Sequence, residues 1–225
     1  MNYTMYHLHS DYSLLDSCTN YKEYIDYAVS LRQKAIAFTE HGKPMGWVTK
    51  KKYCDEKGIK YIHGVECYLT EKLLWDNSEK IRDNYHTILI AKNFKGLLEI
   101  NELISRSTDK DHTYYHNRVS FDEFLQLSNN IITISACLAS PLNKLDVNNP
   151  MYEKLVKRYD YLEIQSHNCQ EQKDFNTHLA IMSNKYHKPL IVGTDTQSLN
   201  KYKAECRKIL LKYKDRSYGD EDKYD

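Results

Sequence analysis

The histidines and carboxylates of this chain stand at the ends of short apolar runs, and that placement limits the fold more than any other feature. His7-Leu8-His9-Ser10-Asp11 closes the first run, with Asp16 close behind, and Glu40-His41-Gly42 closes the second. His63-Gly64-Val65-Glu66 lies in the third, His86 opens the fourth, and Cys137, His167 and Asp195 follow the last three. The runs at 5–9, 35–39, 61–69, 86–91, 131–136, 161–165 and 190–192 read as seven strands. Helical spacing or helix-ending signals between them predict helices over 21–33, 46–57, 96–107, 121–127, 151–159 and 171–187, with a last helix over 203–213. Repeated β-α units imply parallel strands with helices outside. In such folds ligands gather at the carboxyl ends of the strands. The expectation is one α/β domain over 1–213, a (β/α)7 barrel with its site at one mouth. Residues 214–225 form a charged tail that frays.

A chain of 225 residues is long enough for one well-buried core. Its formal charge of +1 gives no global basic signature for nucleic acid. No apolar run approaches the ~18 residues of a membrane span, and the first residues do not resemble a signal peptide. The six cysteines form no CxxC pair, which fits a reduced, cytoplasmic protein. No nucleophile elbow, P-loop or GxGxxG is present.

Taken singly, each polar position has an ordinary explanation. His7 and His9 fall on one side of an extended segment, yet two such histidines are more often surface or core residues. Asp16, Ser17 or Thr19 could cap the following helix. Gly42 suits a turn with positive φ after His41. His86 could be a satisfied edge histidine, Cys137 a small buried apolar residue and Asp195 a turn cap. Glu66 is harder to dismiss, because a carboxylate inside an apolar strand needs a cation or a hydrogen-bond network. Collected at one mouth, these imidazoles, carboxylates and a thiol predict bound transition metal. Zinc, manganese and iron all suit that donor set.

The segments HLHSDYSLLD, TEHG, HGVECYL, HTILIAKN, ISACLAS, YLEIQSHN and GTDTQ, in this order, resemble the polymerase and histidinol phosphatase (PHP) family. The resemblance spans about residues 3–213. In detail the chain is similar to the PHP domain at the N-terminus of C-family replicative DNA polymerases (DNA polymerase III α subunits). It implies a distorted (β/α)7 barrel binding two to three divalent metal ions. One ion would take His7, His9, Glu66 and Asp195; a second would share Glu66 and add His86 and Cys137; a third would use Asp16 and His41. The ninth ligand of the family is a histidine two residues after the last aspartate, and here that position is Gln197. A neutral amide oxygen is a poorer transition-metal ligand than imidazole, which sets the third site apart from the other two.

The resemblance further implies a metal-dependent phosphoesterase. Glu66 would bridge two ions, and a water activated there would attack the ester. His41 or His167 would protonate the leaving oxygen, and Arg106 or Lys43 would supply a nearby cation. The expected substrate is nucleic acid or nucleotide, with 3′–5′ exonuclease action on a single-stranded DNA 3′ end foremost. A small-molecule phosphatase or nucleotidase, or a non-catalytic module scaffolding a polymerase or other replication proteins, are the alternatives. Lys50-Lys51-Lys52 could contact phosphates, although such a run is more often a solvated helix face. The chain shows no polymerase carboxylates and reads as a free-standing domain without membrane contact.

Overall fold

The computed structural model describes residues 3–73 and 82–213. The predicted tail at 214–225 lies outside the described residues. In chain order the elements are α1 (Tyr21–Ser30), β1 (Ala35–Phe38), α2 (Trp47–Lys57), β2 (Lys60–Thr70), β3 (Tyr85–Ala91) and α3 (Phe94–Arg106). They continue with β4 (Val119–Ser120), α4 (Phe121–Leu125), β5 (Ile131–Ile134), α5 (Pro141–Lys144), α6 (Pro150–Arg158), β6 (Leu162–Gln165), α7 (Gln170–Tyr186), β7 (Leu190–Gly193) and α8 (Lys201–Tyr213). The mixed α/β class follows the sequence. Among the described residues no helix is long and apolar enough to cross a membrane.

The barrel does not close. One sheet has the order β1-β2-β3-β5 with β4 added on β2, and β6-β7 form a second, two-stranded sheet. The all-parallel expectation also fails: β1/β2, β2/β4 and β6/β7 are parallel, while β2/β3 and β3/β5 are antiparallel. Parallel neighbours need a crossover, usually a helix. Between β2 and β3 the sequence reads as a polar loop over 70–85 and predicts no crossover helix; residues 74–81 of it lie outside the described residues.

Among the described residues seven strands are found, but not the predicted seven. Val119–Ser120 replaces the segment at 5–9, which makes only an isolated bridge, Leu8 to Thr196. A side chain takes over part of its ladder. Thr39 Oγ1 accepts from the Leu8 N–H (3.0 Å) and donates to the Tyr6 carbonyl (3.1 Å). A second bridge, Ile134 to Tyr161, joins the two sheets at the other seam.

The main core lies between the larger sheet and α3, α4, α6 and α7, with Val65, Leu89, Ile100, Phe124, Tyr159 and Phe175 at its centre. A second cluster packs α1 and α2 on β1 and on the 5–9 segment through Leu8, Tyr24, Ile25, Phe38 and Cys54. This packing holds the His7–His9 segment between the two sheets, where the chemistry collects.

Candidate metal centre

His7 and His9 are fully buried and pinned through the backbone. His9 N–H donates to the Thr196 carbonyl (2.8 Å) and Thr196 N–H to the His7 carbonyl (3.0 Å). Both rings turn to one side, as the two-residue period requires, and meet Glu66 from the middle of β2. His7 Nε2 stands 3.2 Å from Glu66 Oε2 and 3.3 Å from Asp195 Oδ1. His9 Nε2 stands 3.6 Å and 3.3 Å from the same two atoms. On the other side of Glu66, His86 Nδ1 is 3.3 Å from Oε1 and 3.6 Å from Cys137 Sγ.

Among the described residues the structure therefore assembles two groups of donor atoms, each lying within 4.8 Å of one another: His7, His9, Glu66 and Asp195, and Glu66, His86 and Cys137. Ligands ~2.0–2.3 Å from one ion stand at most ~4.6 Å apart, so each group has about the span of a coordination shell. Glu66 belongs to both.

Hydrogen bonding decides which nitrogens face inward. His7 Nδ1–H donates to Glu163 Oε1 (2.6 Å). Ser13 Oγ–H donates to Glu40 Oε2 (2.5 Å), so the same oxygen must accept from His9 Nδ1–H (3.1 Å). Both rings then present Nε2 to carboxylate oxygens, and those carboxylates hold the His7 pKa well above the ordinary histidine range and raise that of His9 despite burial, so that in the absence of a metal ion His7 Nε2–H donates to Glu66 Oε2 (3.2 Å). His9 Nε2 is buried and makes no hydrogen bond. A proton or a metal ion must lie between these nitrogens and the carboxylates, a divalent ion would displace the protons, and an outer carboxylate on the far nitrogen, as Glu163 gives His7, is the usual support of a metal-binding histidine. The donor set fits divalent metal.

The electrostatics agree. Burial opposes charge on Glu66, yet the imidazoles of His86 and His41 hold its pKa well below the carboxylate range. Burial likewise disfavours the Asp195 anion, and His7 and His9 more than reverse it. Cys137 goes the other way: burial, then Asp195 and Glu66, push its thiol well above the usual value. A thiolate there needs an added cation. Two non-glycine residues in the left-handed region, Asp195 (φ 45°) and Ala136 just before Cys137 (φ 60°), deliver ligand atoms into this space. Such strain persists where surrounding structure enforces it.

Asp16 and His41 behave differently. The helix cap foreseen at Asp16, Ser17 or Thr19 is Asn20, in a capping box with Glu23. Asp16 instead accepts from His41 Nε2 (2.8 Å) and from Arg207 Nη2 (2.7 Å). His41 Nδ1 is 2.7 Å from Glu66 Oε1. Held between two carboxylates, His41 keeps its proton well above the ordinary histidine range despite burial. Gln197 Nε2 donates to Asp195 Oδ1 (3.3 Å).

These groups open into a cavity of about 1500 Å³ lined by Asp16, His41, Lys43, His86, Cys137, Asp195, Gln197 and, from α8, Lys201, Arg207 and Lys208. Lys43 thus reaches the mouth as expected. Arg106 does not: it pairs with Glu123 (3.0 Å) on the outer side of α3. Lys50 is also withdrawn, because it is buried against Glu40 (2.6 Å). His167 is half-buried after β6, within the field of Asp195, His7 and Glu163, and burial lowers its pKa. Sequence reasoning missed Glu163 and Arg207. Glu163 carries the same signal as Glu66, a carboxylate inside an apolar strand. Arg207 lies on a polar helix and carries none.

The family model for the PHP domain matches residues 5–217. The chain belongs to the PHP family. It is 31% identical over 216 residues to the DNA polymerase III subunit alpha of Borreliella burgdorferi, an alignment covering 91% of this chain and 19% of that one. The chain thus spans about a fifth of the length of the curated relatives it matches. Among solved structures, a Bifidobacterium adolescentis protein assigned as a metal-dependent phosphoesterase superposes with a TM-score of 0.57 at 12% identity, over 87% of both chains. Endonuclease Q, bound to a 27-mer duplex with an abasic lesion, superposes at 0.50 and 14% identity, over 90% of this chain and 49% of that one. At such identities the structural likeness concerns the fold. The PHP-family membership and the two donor groups together imply divalent metals.

Proposed function

We propose that this PHP domain is a metal-dependent phosphoesterase acting on nucleic acid or nucleotides, with removal of nucleotides from a single-stranded DNA 3′ end as the foremost activity. The observation that carries the reading is the pair of donor groups sharing Glu66 on the wall of a cavity large enough for a nucleotide. His7, His9, Glu66 and Asp195 would hold one ion, and Glu66, His86 and Cys137 the second. Divalent cations bound there supply Lewis acidity and a water of lowered pKa.

The chain's own residues do the rest. Glu163 and Ser13 fix the two ring tautomers, so that both Nε2 atoms face the centre without rearrangement. Lys43, with Lys201 on α8, gives the mouth a positive rim suited to phosphate oxygens. His41 or His167 would protonate the leaving oxygen; His41 lines the cavity, but both its nitrogens are bonded to carboxylates, so donation from it requires one of those bonds to open. The likeness to a replicative polymerase subunit favours a nucleic-acid substrate over a small ester.

The test is metal analysis of freshly purified protein. It is combined with hydrolysis of a 5′-labelled single-stranded oligonucleotide and of p-nitrophenyl phosphate in Mn²⁺. Stoichiometric metal and stepwise shortening, both lost in His9→Ala and Asp195→Ala, are expected. Turnover of the small ester alone would make the protein a phosphatase or nucleotidase. Neither metal nor turnover would leave a scaffold.

A further inference from the structure

The corner formed by Asp16, His41 and Gln197 does not fit a third ion, and the reason is a residue of this chain. Asp16 has both carboxylate oxygens engaged: Oδ1 accepts from Arg207 Nη2 (2.7 Å) and Oδ2 from His41 Nε2 (2.8 Å). Arg207 Nε also donates to the Asp16 backbone carbonyl (2.9 Å), so the guanidinium grips the residue at two points. Arg207 reaches across from α8 near the far end of the chain and closes this side of the cavity. Gln197, where an imidazole would complete the corner, turns its amide to Asp195 instead. Among the described residues Asp16 joins neither group of metal-holding atoms.

We infer that Arg207 is the resident cation of this corner: it takes the electrostatic place of a third ion, and the centre holds two metal ions, not three. A dication seated on Asp16 would share its carboxylate with a guanidinium, and the two positive charges repel at short range. A guanidinium cannot be displaced by deprotonation, since arginine stays charged at any working pH. It has a second consequence. Arginine presents its donors in a fixed fork, so Asp16 and, through it, His41 keep one orientation whether or not the neighbouring ions are bound. Arg207 is a positioning residue for His41.

This inference rests on the metal reading proposed above, and the test separates the two. Chelator-treated protein is titrated with Mn²⁺ or Zn²⁺ and the bound ions counted by native mass spectrometry and calorimetry. Wild type and Gln197→His are expected to bind two ions, Gln197→His/Arg207→Met three, and Gln197→His/Arg207→Lys two, because lysine restores the charge. If the methionine double variant does not fold by circular dichroism, Gln197→His/Arg207→Gln takes its place. Three ions in wild type or in Gln197→His alone would overturn the inference, and so would two in the neutral double variant. No ion in wild type would overturn the metal reading itself.

Discussion

Glu40 and Glu66 are both 1% exposed, and their backbones touch: Glu66 N–H donates to the Glu40 carbonyl (3.1 Å). What surrounds their side chains could hardly differ more. Glu40 is fully served by the chain. Buried Lys50 donates to Oε1 (2.6 Å), the Ser10 hydroxyl and N–H add two more donors, and Ser13 supplies another. Burial alone would raise its pKa, but Lys50 and His9 bring it below the ordinary value. Glu66 has, among the described residues, imidazoles and no lysine or arginine against it, and one of those imidazoles, the protonated His41, bonds its Oε1 (2.7 Å). Two of those rings, His7 and His9, face it with Nε2 while their Nδ1 atoms are bonded elsewhere. A buried carboxylate neutralised by its own lysine is structural; Glu66, bonded by His41 and gathered with His7, His9 and Asp195 on one side and His86 and Cys137 on the other, has the surroundings of a metal ligand.

The largest expected effect breaks this comparison at its two centres. Lys50→Met strips Glu40 of its cation and should lower unfolding stability by about 3–5 kcal/mol, the usual result of orphaning one member of a buried pair. The loss should be the same with and without chelator. Glu66→Gln should instead abolish the chelator-sensitive part of the stability, with the melting temperature of the variant no longer responding to EDTA. Denaturant melts of the three proteins, each with and without EDTA, measure both. If the Lys50→Met penalty vanished on chelation, Glu40 would belong to the metal centre after all.

A smaller effect contrasts the centre's histidines with His63, three residues before Glu66 on β2. Tyr61 Oη–H donates to His63 Nδ1 (3.3 Å) and His63 Nε2–H donates to Asn101 Oδ1 (3.1 Å), so the neutral ring is satisfied and no carboxylate is bonded to it. Burial drives its pKa down to about 4. Unfolded, the ring titrates near ~6.5 and binds a proton that the folded state refuses, so stability falls as pH drops from ~6.5 toward 4 and the slope ends below that. The loss due to this one group is about 3 kcal/mol. In His63→Gln the pH dependence of stability across this window should be shallower by about one proton. An unchanged slope would mean that His63 is protonated in the fold.

Much of the centre was legible because its donors punctuate apolar runs. The two-residue period of an extended segment put His7 and His9 on one side, and an in-strand carboxylate singled out Glu66. Local signals could not reveal what distant side chains do. Lys50 sits in a lysine run that looks solvated, but tertiary packing buries it against Glu40. Arg207 is one basic residue on a polar helix, given meaning only when α8 crosses to Asp16. The 5–9 segment is a further case. Thr39 Oγ1 replaces backbone partners of the 5–9 segment, and residue periodicity carries no trace of that substitution.

The finest difference between the two glutamates lies one residue further out, at Glu163. It supports the metal centre as Lys50 supports Glu40, but through a ring. Glu163 Oε1 accepts from His7 Nδ1 and from Gln165 Nε2, both at 2.6 Å. Its carboxylate fills the space beside Gly193, where a Cβ would overlap it. Glu163→Gln keeps the shape but offers a neutral amide, so the His7 tautomer is held more weakly and its Nε2 becomes a poorer donor. Metal affinity should fall about 10–100-fold, about 1.4–2.7 kcal/mol, while EDTA-treated protein melts close to wild type. Calorimetric titration with Zn²⁺ gives the first number and a thermal melt the second. An unchanged affinity would mean that the backbone bonds between His7 and Thr196 orient the ring unaided. A collapse of the metal-free fold would place Glu163 with Glu40, as a carboxylate the structure needs for itself.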